Sequence, residues 1–233
     1  MSSEMVEFQS NGETAEGYLS VPESGSGAGV VVIQEWWGLV PHIKQLADRF
    51  AAQGFVALAP DLYHGKSTTS PDEAGKLMMA LDIDRAEKDL RGAIKFLLDD
   101  ARVTGAKVGT VGFCMGGALS LYAASKNEQV GACIVFYGIH PKVRPDFDSL
   151  RAPVLGFFGE LDESVAPAKV RALEDELKEH GKSAEMHVYP GAGHAFFNDA
   201  RPEAYNPQAA ADAWRRTLDF FRANLNRRMK DEG

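Results

Sequence analysis

Short apolar runs alternate with longer amphipathic stretches along most of the chain. Val30-Val31-Val32-Ile33 is β-branched and continuous, the signature of a strand buried on both faces. Over residues 42–53 the apolar positions Ile43, Leu46, Ala47 and Phe50 fall on one helical face, and Gly54 supplies a C-terminal stop. Residues 55–59 predict a second buried strand, closed by Pro60-Asp61. Residues 84–100 place Ala86, Leu90, Ile94 and Leu97 on one stripe and predict a helix. Further strands are predicted over 107–111, 131–137, 153–158 and 185–189, and further helices over 115–125, 165–180 and 207–225.

Buried strands separated by helices predict an α/β fold, with a mostly parallel sheet covered by helices on both faces. Residues 5–9 and 15–20 alternate more and flank Asn11-Gly12, which predicts an antiparallel edge hairpin spanning 5–20. The Gly/Ser-rich stretch 23–29 reads as a loop, and neither a repeat nor a low-complexity segment interrupts the pattern. One domain over 1–233 is expected.

Composition narrows the function classes. With 25 Lys+Arg against 33 Asp+Glu the formal net charge is −8, which disfavours nucleic acid and anionic membranes as partners. The apolar runs are far shorter than the ~20 residues of a membrane span. The acidic start lacks a basic-then-apolar segment, so a cytoplasmic protein is expected. A monomer is expected too, because there is no heptad pattern or exposed apolar helix. Two cysteines, Cys114 and Cys133, cannot build a disulfide framework. Cys133 lies mid-strand, where a small buried hydrophobe is the natural account.

Cys114 lies in Gly112-Phe113-Cys114-Met115-Gly116-Gly117, between a predicted strand and a predicted helix. This is the nucleophile-elbow pattern with sulfur in place of the serine oxygen. Small residues on either side let the chain turn sharply, and the N-terminus of the helix favours a thiolate over a thiol. A structural cysteine in a tight turn is the competing account, and the flanking glycines with the small-residue helix weigh against it.

Acyl transfer also needs a base and a group to orient it. Downstream, the strand 153–158 runs into Gly159-Glu160-Leu161-Asp162-Glu163, where Asp162 is the favoured acid and Glu160 and Glu163 are the substitutes. The strand ending at Tyr189 leads into Pro190-Gly191-Ala192-Gly193-His194, which presents His194 on the same rim. His64 and His140 are its rivals by position. The order nucleophile, acid, histidine matches the elbow architecture. Gln34-Glu35-Trp36-Trp37-Gly38 adds a carboxylate and two aromatics at another strand end, and a carboxylate so near an apolar cluster needs a partner.

Together with Pro60-Asp61-Leu62-Tyr63 and Gly193-His194-Ala195-Phe196, these motifs resemble the dienelactone hydrolase family from about residue 30 to 225. The resemblance implies a single-domain α/β-hydrolase fold. It implies hydrolysis of a small-molecule carboxylic ester or lactone, with Cys114 as nucleophile, His194 as base, Asp162 as orienter and no metal or organic cofactor. It further implies that Glu35 helps to generate the thiolate and that the backbone N–H groups of Trp36 and Met115 hold the oxyanion. Pocket positions implied are Trp37, Tyr137, Phe196 and Asn198. Family members that take dienelactone hold its carboxylate with two arginines. Here those positions are Asn198 and the neighbourhood of Pro71, with Arg85 and Arg201 off the motif, so the substrate stays open. A thioesterase with the same triad, and a non-catalytic ligand-binding or redox-sensing protein using Cys114, are the alternative readings.

Overall fold

In the computed structural model, residues 1–225 are described, and 226–233, within the expected domain, lie outside that range. The chain opens with β1 (Ser2–Ser10) and β2 (Glu13–Val21), followed by β3 (Gly27–Ile33), α1 (Pro41–Ala52) and β4 (Val56–Pro60). Then come α2 (Pro71–Ala80), α3 (Ile83–Asp99), β5 (Val103–Phe113), α4 (Met115–Lys126) and β6 (Val130–Phe136). The remaining elements are β7 (Val154–Gly159), α5 (Pro167–Glu179), β8 (Ala184–Tyr189) and α6 (Pro207–Leu225).

The strands form one sheet in the order β1-β2-β4-β3-β5-β6-β7-β8. Pairing from β4 through β8 is parallel, while β1 and β2 are antiparallel additions at one edge. Asn11 and Gly12, both at positive φ, make the turn of that hairpin, which is longer than the expected 5–20. β3 and β4 are buried throughout, as strands covered on both faces must be. Phe50 of α1 meets Trp214 and Phe221 of α6, which joins these helices in one layer, and α3 packs with α4 in another. α4 is buried nearly all round, so its sequence shows little amphipathic contrast.

Two elements depart from the expected pattern. β5 begins earlier than residue 107, because residues 103–104 pair with Gly27 and Ala28 before a register shift at Val108. α2 has no counterpart in the apolar pattern. Only Ala74 of this helix is buried, so it carries no periodic stripe, although Pro71 at its start and Asp72 and Glu73 in its first turn are ordinary helix-start signals.

Parallel strands end on one rim, and the three loops that follow β3, β5 and β7 converge there with the loop after β8. Tight backbone contact fixes that rim. A Cβ on Gly116 would press into the carbonyls of Ile33 and Gln34, and one on Gly117 would lie 2.7 Å from Gly138 Cα. Gly193 meets nothing within 4 Å. Gly116→Ala is therefore expected to cost more than about 3 kcal/mol, and Gly193→Ala to stay within about 0.5 kcal/mol. Urea-unfolding midpoints check this, and equal losses at the two sites would contradict the contact geometry.

Candidate active site

Cys114 caps the N-terminus of α4 at φ 53°, a conformation that strains any residue with a Cβ. The turn is held by Cys114 N–H donating to Phe136 O at 3.0 Å and by Gly117 N–H donating back to Cys114 O at 2.9 Å. A Cβ on Gly112 would run into the Gly116 carbonyl, so the strand and the first turn of α4 approach as closely as backbone allows. The elbow therefore exists because residues 112, 116 and 117 have no side chains. Its product is a thiol at the floor of a cavity and at a helix N-terminus, where the first-turn N–H groups have no partner within the helix.

His194 stands in the loop between β8 and α6. Its Nδ1 lies 2.7 Å from Asp162 Oδ2, and it lines the same cavity as Cys114. Asp162 follows β7; its Oδ1 accepts from the N–H groups of Ser164 at 2.8 Å and Val165 at 2.9 Å. Burial works against its charge, but these donors and His194 hold the carboxyl below its ordinary range. Burial alone would lower His194. The hydrogen bond to Asp162 and the nearby Cys114 outweigh it and push the imidazole up to about 10. A thiol and an imidazole thus line one cavity, and a carboxylate is bonded to the imidazole.

Glu35 follows β3 and is 2% exposed. Burial pushes its carboxyl up to about 7, against the opposing pull of a hydrogen bond from Asn198 and the charges of His194 and Arg201. Asn198 Nδ2 donates to Glu35 Oε2 at 2.8 Å. Glu35 also lines the cavity that Cys114 and His194 face.

That cavity has a volume of about 190 Å³ and is mostly apolar, walled by Trp36, Trp37, Met78, Ile139 and Ala195. The two indoles meet edge-on at 5.0 Å between ring centres. Ser164 and Arg201 complete the wall, and the Arg201 guanidinium lies over the Trp37 ring at 5.6 Å. A larger hollow of about 970 Å³, lined by Lys88, Arg91 and Lys95 among others, contains none of these groups. The smaller cavity is the chemically equipped one.

Three of the expected pocket residues are not among those that line the cavity. Tyr137 and Phe196 are fully buried and pack edge-on against each other, with the Tyr137 ring 5.1 Å from the His194 imidazole. The chain leaves β6 at φ 39° at Tyr137. Asn198 is also off the wall, since its side chain is spent on Glu35. Conversely, Met78, Ile139, Ser164 and Arg201 were not expected on the wall. Met78 comes from the unanticipated α2, and Arg201 is folded back by Asn198 N–H to Ala195 O and Arg201 N–H to Asn198 O.

The rival residues have other partners. His64 Nε2 pairs with Asp89 at 3.0 Å, and His140 bridges the Met78 carbonyl and the Lys142 N–H. Glu160 accepts from Gly191 N–H, and Glu163 is exposed. Cys133 is fully buried beside Ser120, and burial pushes its thiol up to about 11. Among the described residues, no group of three or more His, Cys, Asp or Glu side chains is placed to hold a metal ion, and no helix is long and apolar enough to cross a membrane.

The family model "Dienelactone hydrolase family" matches residues 15–225. "Protein usf" of Aquifex pyrophilus is 39% identical over 229 residues, covering 95% of this chain and 99% of that one. A "Putative carboxymethylenebutenolidase" of Aquifex aeolicus is 34% identical over 229 residues, with the same coverages of 95% and 99%. Among solved structures, a "Putative Dienelactone Hydrolase" from Klebsiella pneumoniae superposes with a TM-score of 0.84 at 28% identity, covering 95% of this chain and 99% of that one. An eight-stranded α/β-hydrolase sheet, a cysteine elbow on its rim and a match across most of the chain agree: this chain belongs to the dienelactone hydrolase family.

Proposed function

We propose that the protein hydrolyses small carboxylic esters or lactones through a thioester on Cys114. The observation that carries this reading is the Asp162–His194 hydrogen bond, with His194 and the elbow residue Cys114 lining one small apolar cavity. The thiolate sulfur attacks the carbonyl carbon, and the carbonyl electron pair moves onto oxygen. The N–H groups of Trp36 and Met115 are the donors for that oxyanion, one from the loop after β3 and one from the first turn of α4. As the oxyanion collapses, the carbon–oxygen bond of the ester breaks and His194 gives its proton to the departing alkoxide. In a lactone that oxygen remains tethered as the ring opens. Water, losing a proton to His194, then attacks the thioester, and the acid product leaves with the thiolate restored.

Asp162 holds the imidazole in the required tautomer and stabilises its cation. Glu35 in this reading accepts the thiol proton in the resting enzyme. Because its carboxyl titrates near neutrality, it can both take and return that proton at physiological pH. The residues supply every proton movement, so neither a metal nor an organic cofactor is required. The volume of about 190 Å³ suits a small acyl group. Arg201 is the cation on the wall, but it is partly exposed and bound to Glu203 at 2.9 Å. It therefore provides a screened contact for an acidic group, not a buried clamp.

Three outcomes are expected. Cys114→Ala should reduce hydrolysis of an activated aryl ester or lactone by about 10³-fold or more, and Asp162→Asn by a comparable factor, with KM little changed. An unaltered rate in Cys114→Ala would remove the proposed nucleophile. Iodoacetamide should label Cys114 in the folded protein and reach Cys133 only after unfolding, as read by peptide mass spectrometry; the labelling rate should rise as pH passes about 7. Glu35→Gln should lose that rise, and a profile identical to the parent would leave Glu35 no part in the chemistry. On a panel of matched esters with and without a free carboxylate, kcat/KM should differ by less than about tenfold. A far larger preference for acids, abolished in Arg201→Ala, would show a dedicated anion site.

A further inference from the structure

Glu35 is surrounded by groups from several elements. Asn198 donates to it from the turn after His194, and His194 and Arg201 bring positive charge from the same segment. Tyr137, at the end of β6, brings a buried phenol near it, and Cys114 shares the cavity. Gln34, its chain neighbour, is neutral and gives its Oε1 to the Leu62 N–H.

The Asn198 amide has one available orientation. Its Oδ1 accepts from Ala200 N–H at 3.0 Å, which leaves Nδ2 for Glu35 Oε2 at 2.8 Å. Turned round, it would set oxygen against oxygen. The turn that carries it is closed by its own N–H and carbonyl, and Asn198 is only 3% exposed. Asp199 braces the turn from outside, reaching His42 Nδ1 at 3.3 Å and Arg49 Nη1 at 3.7 Å on α1.

We infer that Asn198 is a positioning residue that sets where Glu35 exchanges its proton, by presenting a fixed, uncharged donor to one carboxylate oxygen. A cation in that place would hold Glu35 ionised throughout, and an apolar group would leave burial unopposed. The neutral amide gives the intermediate case. It is also the largest of the influences that oppose burial at this carboxyl. The catalytic use of that exchange rests on the function proposed above, whereas the titration itself is a property of the fold.

The test follows the protonated-carboxyl infrared band of Glu35 against pH, assigned by its loss in Glu35→Gln, in the full-length protein. Asn198→Leu keeps the branched outline without the donor, and Asn198→Ala removes it more simply. Removing the donor disfavours the anion, so both midpoints should rise by about one pH unit. The pH dependence of Cys114 alkylation should move in the same direction, and Asn198→Leu should leave that profile unchanged in the Glu35→Gln background. Circular dichroism identifies which variants are folded. A folded variant of either kind with its midpoint within about 0.3 unit of the parent overturns the inference. Absence of ester turnover with the band still displaced would defeat the proposed function and leave the role of Asn198 standing.

Discussion

Everything at the rim follows from how closely three backbone segments approach. The carbonyls of Ile33 and Gln34, the first turn of α4 and the chain at Gly138 pack with no side chain between them at residues 112, 116 and 117. That contact forces Cys114 to φ 53° and fixes the spacing between the loop carrying Glu35 and Trp36 and the turn carrying Cys114 and Met115. A strained conformation of this kind costs on the order of 1–3 kcal/mol and persists only when its surroundings over-determine it. Here the surroundings are the buried parallel strands β3, β5 and β6, so stability in the sheet is what holds the strain at the thiol.

The same rim explains why the polar groups can be so isolated. Asp162 has His194 and two backbone N–H groups as donors, and Glu35 has Asn198. Beneath them, Phe113, Phe136, Tyr137, Phe196 and Phe197 form an aromatic layer that excludes water. A low-dielectric floor strengthens each satisfied hydrogen bond and penalises each unsatisfied charge. The difference between the two carboxyls follows from that. With three hydrogen bonds, one of them to the His194 imidazole, the Asp162 carboxyl is held below its ordinary range; with one neutral donor, Glu35 is pushed up to about 7.

Much of this was legible in the sequence, for reasons that can be named. The parallel strands could be read because burial on both faces demands continuous apolar runs, as in Val30-Val31-Val32-Ile33, and the hairpin could be read because Asn11-Gly12 suits a turn with positive φ at both positions. Cys114, Asp162, His194 and Glu35 could be grouped because each follows a strand of a parallel sheet and so reaches one rim. What escaped lacks such a rule. α2 covers the cavity and buries almost nothing, so its composition resembles a loop. Arg201 reaches the wall through a turn whose hydrogen bonds are between main-chain groups, invisible in residue types. Tyr137 and Phe196 are next to the site in sequence, yet both are fully buried, which residue type alone does not reveal.

Charge balance ties these departures together. In the proposed mechanism, with Cys114 as a thiolate, His194 as a cation and Asp162 as an anion, these three groups carry one net negative charge, and Arg201 at the wall offsets it from a partly exposed position. Ionising Glu35 adds a second negative charge to the same low-dielectric volume, which burial opposes and the nearby cations only partly relieve. A proton moving from the thiol to Glu35 leaves the total unchanged, so the environment does not resist that transfer as it resists loss of the proton to solvent. In the proposed mechanism, the reluctance of Glu35 to ionise and the transfer of the thiol proton to it are then two consequences of one constraint. The neutral amide of Asn198, by declining to add a cation, keeps that constraint in force.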